Sequence, residues 1–263
     1  MQIADVITNL EKIAPLHLQE DYDNAGLIVG NPNSDITGMM VCLDSTPEVI
    51  DEAIAKGCNL VVAHHPIIFR GLKQITGSNY VEQTVVRAIK NDIAIYAIHT
   101  NLDNVLHRGV NQKIADKLGL KDLQILRPKS PDDVEVGAGI VGVLESAMTE
   151  DAFLSHVKSA MHASVIRHTS LLGKSVTRVA VCGGSGSFLL ADAIKAEADI
   201  FITADFKYHE FFDAEEHLVI ADIGHYESEQ FTIDLLVEYL SSQYPESTVI
   251  PTSVRTNPIR YST

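Results

Sequence analysis

Three observations predict an α/β fold built from two related lobes. Short apolar, β-rich runs alternate with segments of helical periodicity along the chain. Residues 41–65 can be laid without gaps on residues 181–205. Histidines and carboxylates gather where the apolar runs end, as they do at the carboxyl ends of parallel strands that line a ligand crevice. The expected sheets are mixed and largely parallel with right-handed crossovers, and a metal site is expected in the cleft between the lobes.

Residues 2–14 place Ile3, Val6, Ile7, Leu10 and Ile13 on one helical face. Met39 to Leu43 reads as a strand. Thr46-Pro47-Glu48 opens a helix with an N-cap and a proline at the first position, and Gly57 closes it. A strand at 59–63 follows, then a helix at 79–90 carrying Val81, Val85 and Ile89, then a strand at 93–98. Residues 109–118 form a helix that stops at Gly119. The polar stretch Arg127 to Asp133, with two prolines, is the candidate linker. Beyond it, strands are expected near 138–144, 164–168, 178–182, 200–203 and 218–222, and helices near 150–161, 187–197 and 226–242. The lobes are then 1–127 with 226–263, and 128–225.

The internal match puts Val41-Cys42 on Val181-Cys182, Ser45 on Ser185 and Ala53-Ile54 on Ala193-Ile194. His64-His65 falls on Ala204-Asp205. Downstream, each half has a strand ending in His-x-x-x-carboxylate, His99 to Asp103 and His225 to Glu229. Two βαβ units share patterning by chance, but the shared order of the polar clusters favours duplication.

The 263 residues are 46% hydrophobic and 21% charged, which is a globular composition. A net charge of −15 argues against a nucleic-acid surface and against adsorption to anionic membrane. Cys42, Cys58 and Cys182 are far apart and no Cys-x-x-Cys occurs, so buried small hydrophobes are the better reading than a thiolate metal site. With no signal peptide and no membrane-length apolar run, the expected setting is cytoplasmic.

His64-His65 follows an apolar strand, and Pro66 keeps His65 out of helix. Each imidazole could reach a metal, or one could be a buried hydrogen-bonded histidine. His225 and Glu229 are one helical turn apart and can address one site. Asp103 supplies a carboxylate from the other half, and His99 is a ligand, a proton shuttle or an orienting group. Mixed imidazole and carboxylate donors suit zinc, iron or manganese better than calcium, and five donors exceed a closed tetrahedral site, so two divalent ions are expected. Gly183-Gly184-Ser185 lies in a glycine-rich turn that is either an anion cradle or a tight βα turn. Asp205, Lys207 and His209 are candidates for substrate contact or proton transfer, or else a solvated loop with Asp205 as a helix cap. Asp21-Tyr22-Asp23-Asn24 reads as an Asx-type turn.

Together, DNAGLIVG (23–30), AHHPIIF (63–69), HTNLDN (99–104), CGGSGS (182–187), TADFKYHE (203–210) and GHYESE (224–229) resemble the NIF-three-like family. Its members often carry the label GTP cyclohydrolase I type 2 homologue, and this chain resembles the short form without an inserted domain. The resemblance implies a dinuclear metal centre whose ligands fall on His64, His65, Asp103, His225 and Glu229, and a homohexameric ring with the sites facing an inner cavity. Tyr22 stands where the family often has tryptophan and Ala204 where it often has glycine.

The implied activity is metal-dependent hydrolysis, in the cyclohydrolase form the opening of the guanine imidazole ring of GTP with loss of formate. His99 or His209 would move protons, and the glycine turn or Lys207 would hold the phosphates. The acidic net charge sits poorly with a tetra-anionic substrate. Two alternatives use the same residues: a metal-dependent phosphoesterase on another small molecule, and a non-enzymatic metal-binding scaffold or regulatory protein.

Overall fold

The computed structural model describes residues 1–262. Its strands are β1 (Gly26–Val29), β2 (Met39–Cys42), β3 (Leu60–Ala63), β4 (Ala94–Ala97), β5 (Leu120–Ser130), β6 (Asp133–Thr149), β7 (Arg167–His168), β8 (Ser175–Ser185), β9 (Ile200–Ala204), β10 (Val219–Asp222) and β11 (Val249–Pro251). The chain divides into two compact units. One is Met1–Leu102 with Thr232–Pro258, and the other is Asp103–Phe231 with the residues from Ile259 on.

The first unit holds a sheet of order β1-β4-β3-β2-β11. β11, β2, β3 and β4 run parallel, and β1 closes the edge antiparallel to β4. β2, β3 and β4 are buried at every position. That burial is why they read as unbroken apolar runs rather than alternating ones. Met40, Cys42, Val61, Ala63 and Ile95 pack with Val49, Ile50, Ala53, Val85 and Ala88 of the helices Pro47–Ala55 and Tyr80–Lys90. The first of these helices starts as its sequence predicts, with Thr46 Oγ1 accepting from the Val49 amide and Pro47 in the first turn. Helices Ile3–Ile13 and Thr232–Gln243 are tied by Tyr239, whose hydroxyl donates to the Asn9 carbonyl at 3.0 Å.

The second unit holds a sheet of order β5-β6-β8-β9-β10-β7. Its centre, β8-β9-β10, is parallel, and antiparallel strands flank it on both sides. Its core gathers Ala180, Leu189, Leu190, Ala193, Phe201, Phe206, Leu218 and Ile220. The segments matched by the internal alignment fold alike. Residues 41–65 run from β2 through a helix to β3, and 181–205 from β8 through helical turns to β9, each strand pair being parallel.

Several expectations are corrected. The candidate linker 127–133 is the tip of a β-hairpin, because Ser130 pairs with Asp133 across Pro131-Asp132. By their contacts the compact units divide at 102/103, where the sequence placed the lobe boundary at 127/128. The helix expected at 226–242 is two helices, His225–Glu229 and Thr232–Gln243. Strands β1, β5 and β11 have no counterpart in the expected elements. Among the described residues no helix is long and apolar enough to cross a membrane.

One loop carries a prediction of its own. Glu82, buried, accepts hydrogen bonds from the Ser78 and Thr76 amides, both of their hydroxyls and the Asn79 side chain. The Ser78 and Thr76 amides lead in holding its carboxyl down at about 2. A depressed carboxyl stabilises the fold above its unfolded pKa, and that contribution disappears as pH falls through the folded value. Glu82→Gln is expected to expose segment 71–79 to limited proteolysis at pH 7, a state that wild type approaches only as pH falls from about 4.5 toward 2.

Candidate metal centre

In the first unit, three parallel strands deliver polar side chains at their carboxyl ends. Asp44 follows β2, His64 and His65 follow β3, and His99 follows β4. Backbone bonds continue past the strands, from the His64 amide to the Cys42 carbonyl, His65 to Leu43 and Ile98 to Ala63. The residues that carry the donors are therefore held as firmly as the sheet.

Each imidazole is oriented through Nδ1. His64, fully buried, contacts the Ile98 carbonyl at 2.8 Å, His65 contacts Asp44 Oδ1 at 2.8 Å, and His99 contacts Asp23 Oδ1 at 2.7 Å. A carbonyl or carboxylate oxygen can only accept, so Nδ1 donates in all three and the lone pair of the neutral ring lies on Nε2. One ligand nitrogen from each of His64, His65 and His99 lies within 4.8 Å of the other two. The rings pack at centroid distances of 4.9 Å for His64–His65 and 5.4 Å for each of the two pairs with His99. The orienting carboxylates are themselves held. Asp44 Oδ2 accepts from Thr256 Oγ1 at 2.6 Å, and Asp23 Oδ2 accepts from the Thr100 amide at 3.0 Å and its hydroxyl at 2.5 Å. Burial pushes the Asp23 carboxyl up, but His99, Thr100 and Asn24 outweigh it and hold it down at about 2.

The second unit repeats the scheme. Asp205 follows β9, and His225 and Glu229 lie on the helix after β10. His225 Nδ1 meets Asp205 Oδ2 at 2.7 Å, and its Nε2 meets Glu229 Oε2 at 3.1 Å. Burial works against a charged His225 ring, yet the Glu229 and Asp205 carboxylates prevail and push it up to about 11. A proton held between an imidazole and a buried carboxylate marks a place where a divalent cation fits, because the same two donors would bind it. Asp103 ends the short helix Thr100–Asp103, where its carbonyl accepts from Asn111 Nδ2 at 3.0 Å. Asn111 Oδ1 in turn accepts from the Gly183 amide at 2.9 Å. Burial, then the Asp103 and Glu229 carboxylates, push the Cys182 thiol up, so it stays a neutral packed group. All three cysteines are free and buried.

The glycine turn has a different task from the anion cradle considered above. The Gly183 amide donates to Asn111 and the Gly184 amide to Ser228 Oγ at 2.9 Å, so both are engaged within the chain. Gly184 has φ +62°, and a Cβ on it would stand 2.3 Å from Glu229 Oε1. The glycine makes room for the Glu229 carboxylate. Ser185 is the last residue of β8 and pairs with Ala204.

Of the remaining candidates, Asp205 orients His225. Lys207 is exposed with Nζ 3.7 Å from Glu210 Oε1. His209 is exposed on the turn Tyr208–Ala214, against the rings of Tyr208 and Phe212. Sequence reasoning missed Asp44, which carries no motif beyond its place two residues after a strand, and took Asp23 for a turn residue only.

Residues 1–258 match the model of the Duf34/NIF3 (NGG1p interacting factor 3) family. A Clostridium perfringens protein named GTP cyclohydrolase 1 type 2 homolog is 39% identical over 230 residues, which cover 87% of each chain. A Lactococcus lactis protein of the same name is 36% identical over 263 residues and 98% of each chain. A crystal structure of a Bacillus cereus protein related to NIF3 superposes with a TM-score of 0.93 at 25% identity, over 100% of this chain and 99% of that one. A match over almost the whole length, in sequence and in fold, means that the chain belongs to the Duf34/NIF3 family.

Proposed function

We propose that this protein is a metal-dependent hydrolase in which His64, His65, Asp103, His225 and Glu229 hold two divalent ions, acting on a small molecule as a homohexamer. The observation that carries the reading is that the Nδ1 atoms of His64 and His65 are both engaged by oxygen acceptors, so that Nε2 is the donor atom in each. Neutral imidazoles fixed in this way are how proteins prepare metal ligands. Zinc, iron and manganese all suit this donor set.

When bound, the metals would supply Lewis acidity toward water and toward a polarised carbonyl, amidine or phosphoryl group. The chain's own residues orient and exclude. Asp44, Asp23 and Asp205 fix the rings of His65, His99 and His225. His99, hydrogen-bonded at Nδ1 and with a ring nitrogen within 4.8 Å of those of His64 and His65, is the residue best placed to move a proton. The curated relatives' name makes hydrolytic opening of the guanine imidazole ring of GTP the first reaction to test.

The test sets wild type beside Glu229→Ala, each loaded with zinc, iron(II) or manganese, and offers GTP and generic phosphoesters. Formate release from GTP by wild type, lost by at least a hundredfold in Glu229→Ala, is the expected result. Phosphoester cleavage alone would move the reading to a phosphoesterase. Full metal content with no turnover would replace it with a metal-binding scaffold. Activity unchanged in Glu229→Ala would remove that residue from the site.

A further inference from the structure

Beside the three imidazoles of the first unit stand two aromatic rings that the core does not absorb. Tyr22 is 64% exposed and Phe69 48% exposed. Their centroids are 6.1 Å apart with the planes tilted by 44°. Phe69 also meets the His99 ring edge-on, at 6.2 Å and 74°. Large rings left in water at a polar cluster forgo their burial energy, which calls for an occupant.

The two loops that carry the pair are tied together. Asn24 Nδ2 donates to the Ile68 carbonyl at 2.7 Å and pins one ring's loop to the other's. Asp23, next to Tyr22, is bound to His99 and to Thr100. The anchors that orient His99 therefore also hold the backbone next to Tyr22. An aromatic pair beside a set of metal donors is a stacking wall, since aromatic faces hold a planar ring with little ordering cost.

We propose that Tyr22 and Phe69 stack a planar heteroaromatic ring of the substrate beside the His64–His65–His99 cluster. The proposal rests on the metal-site reading above and narrows its substrate class. An aliphatic phosphoester has no ring for such a wall, whereas a nucleobase or pterin does.

The chain contains no tryptophan, so Tyr22→Trp installs a single indole at the wall. Its emission is titrated with guanosine, adenosine and pterin, and with inorganic triphosphate and glycerol phosphate as ring-free controls. Each titration is run with and without zinc, and the metal content of wild type and variants is measured. Saturable quenching by at least one heterocycle and by no control is the expected result. Phe69→Leu in the same background should weaken that binding about tenfold while metal content and circular dichroism stay at wild-type values. Quenching without retained metal would support the wall and overturn the metal reading. Full metal with no heterocycle response, an equal response to triphosphate, or an unchanged affinity in Phe69→Leu would overturn the wall. Emission that changes only with protein concentration would overturn it too, in favour of self-association.

Discussion

Asp23→Asn is expected to lower turnover about a hundredfold and to destabilise the protein by about 1–3 kcal/mol, although it changes neither size nor shape. Both carboxylate oxygens already accept from backbone amides, Oδ1 from Asn24 at 2.7 Å and Oδ2 from Thr100 at 3.0 Å. An asparagine NH2 must replace one of them, and either way it points a donor at a donor. On the Oδ1 side it also faces His99 Nδ1, which drives the ring proton to Nε2 and removes that nitrogen as a proton acceptor. Turnover of metal-loaded protein reads the first effect, and urea melts read the second. The wild-type carboxyl, held down at about 2 against a usual 3.8, adds pH dependence. Its contribution, roughly 2 kcal/mol, is complete above pH 3.8 and lost as pH falls through about 2. Asp23→Asn should lack that acid limb. Wild-type turnover in Asp23→Asn would show that Asp23 does not set the His99 ring.

Gly184→Ala should be the most damaging single methyl at this site, with an expected loss of about 2–4 kcal/mol and of most bound metal. Two effects combine. The backbone at φ +62° is strained for any side chain, and the new Cβ would stand 2.3 Å from Glu229 Oε1 and 3.2 Å from His225 Cε1. Glu229 is only 3% exposed, so its carboxylate cannot swing into water without leaving His225. Gly119→Ala separates the two effects. It has φ +75° with nothing within 4 Å of the added Cβ, so it carries the strain alone, about 1 kcal/mol, and should keep its metal. Thermal melts and metal analysis of the two variants side by side give the comparison. Equal metal content in both would mean that Glu229 does not need the space.

The contrast between the motifs and their supports shows what a sequence can reveal here. His64-His65 and His225…Glu229 stand out because they follow unbroken apolar runs, and β3 and β10 are indeed strands that stop just before them. Asp23 and Asp44 act over 76 and 21 residues of chain, on His99 and His65, and no local pattern reports a pairing at such separation. The glycine turn stayed open between two readings for a related reason. Glycines that open space for a neighbouring carboxylate and glycines that approach a phosphate look alike until the neighbour is known. Pro128 and Pro131 suggested a break, but they belong to a hairpin whose register is held by the long β5–β6 pairing on either side of it. β1 and β11 sit at the edges of the first sheet, where pairing from one side suffices and a four- or three-residue strand leaves little periodicity to read.

The Nδ1 bonds of His64, His65 and His99 also bear on what the fold owes to a bound ion. Their acceptors are the Ile98 carbonyl and two carboxylates, all supplied by the chain itself. The orientation of these rings therefore depends on the chain alone, unlike that of a zinc finger, whose chain waits for the ion before it folds. If the proposed ions bind here, removing them with a chelator is expected to leave circular dichroism unchanged and the rings still aimed for reloading.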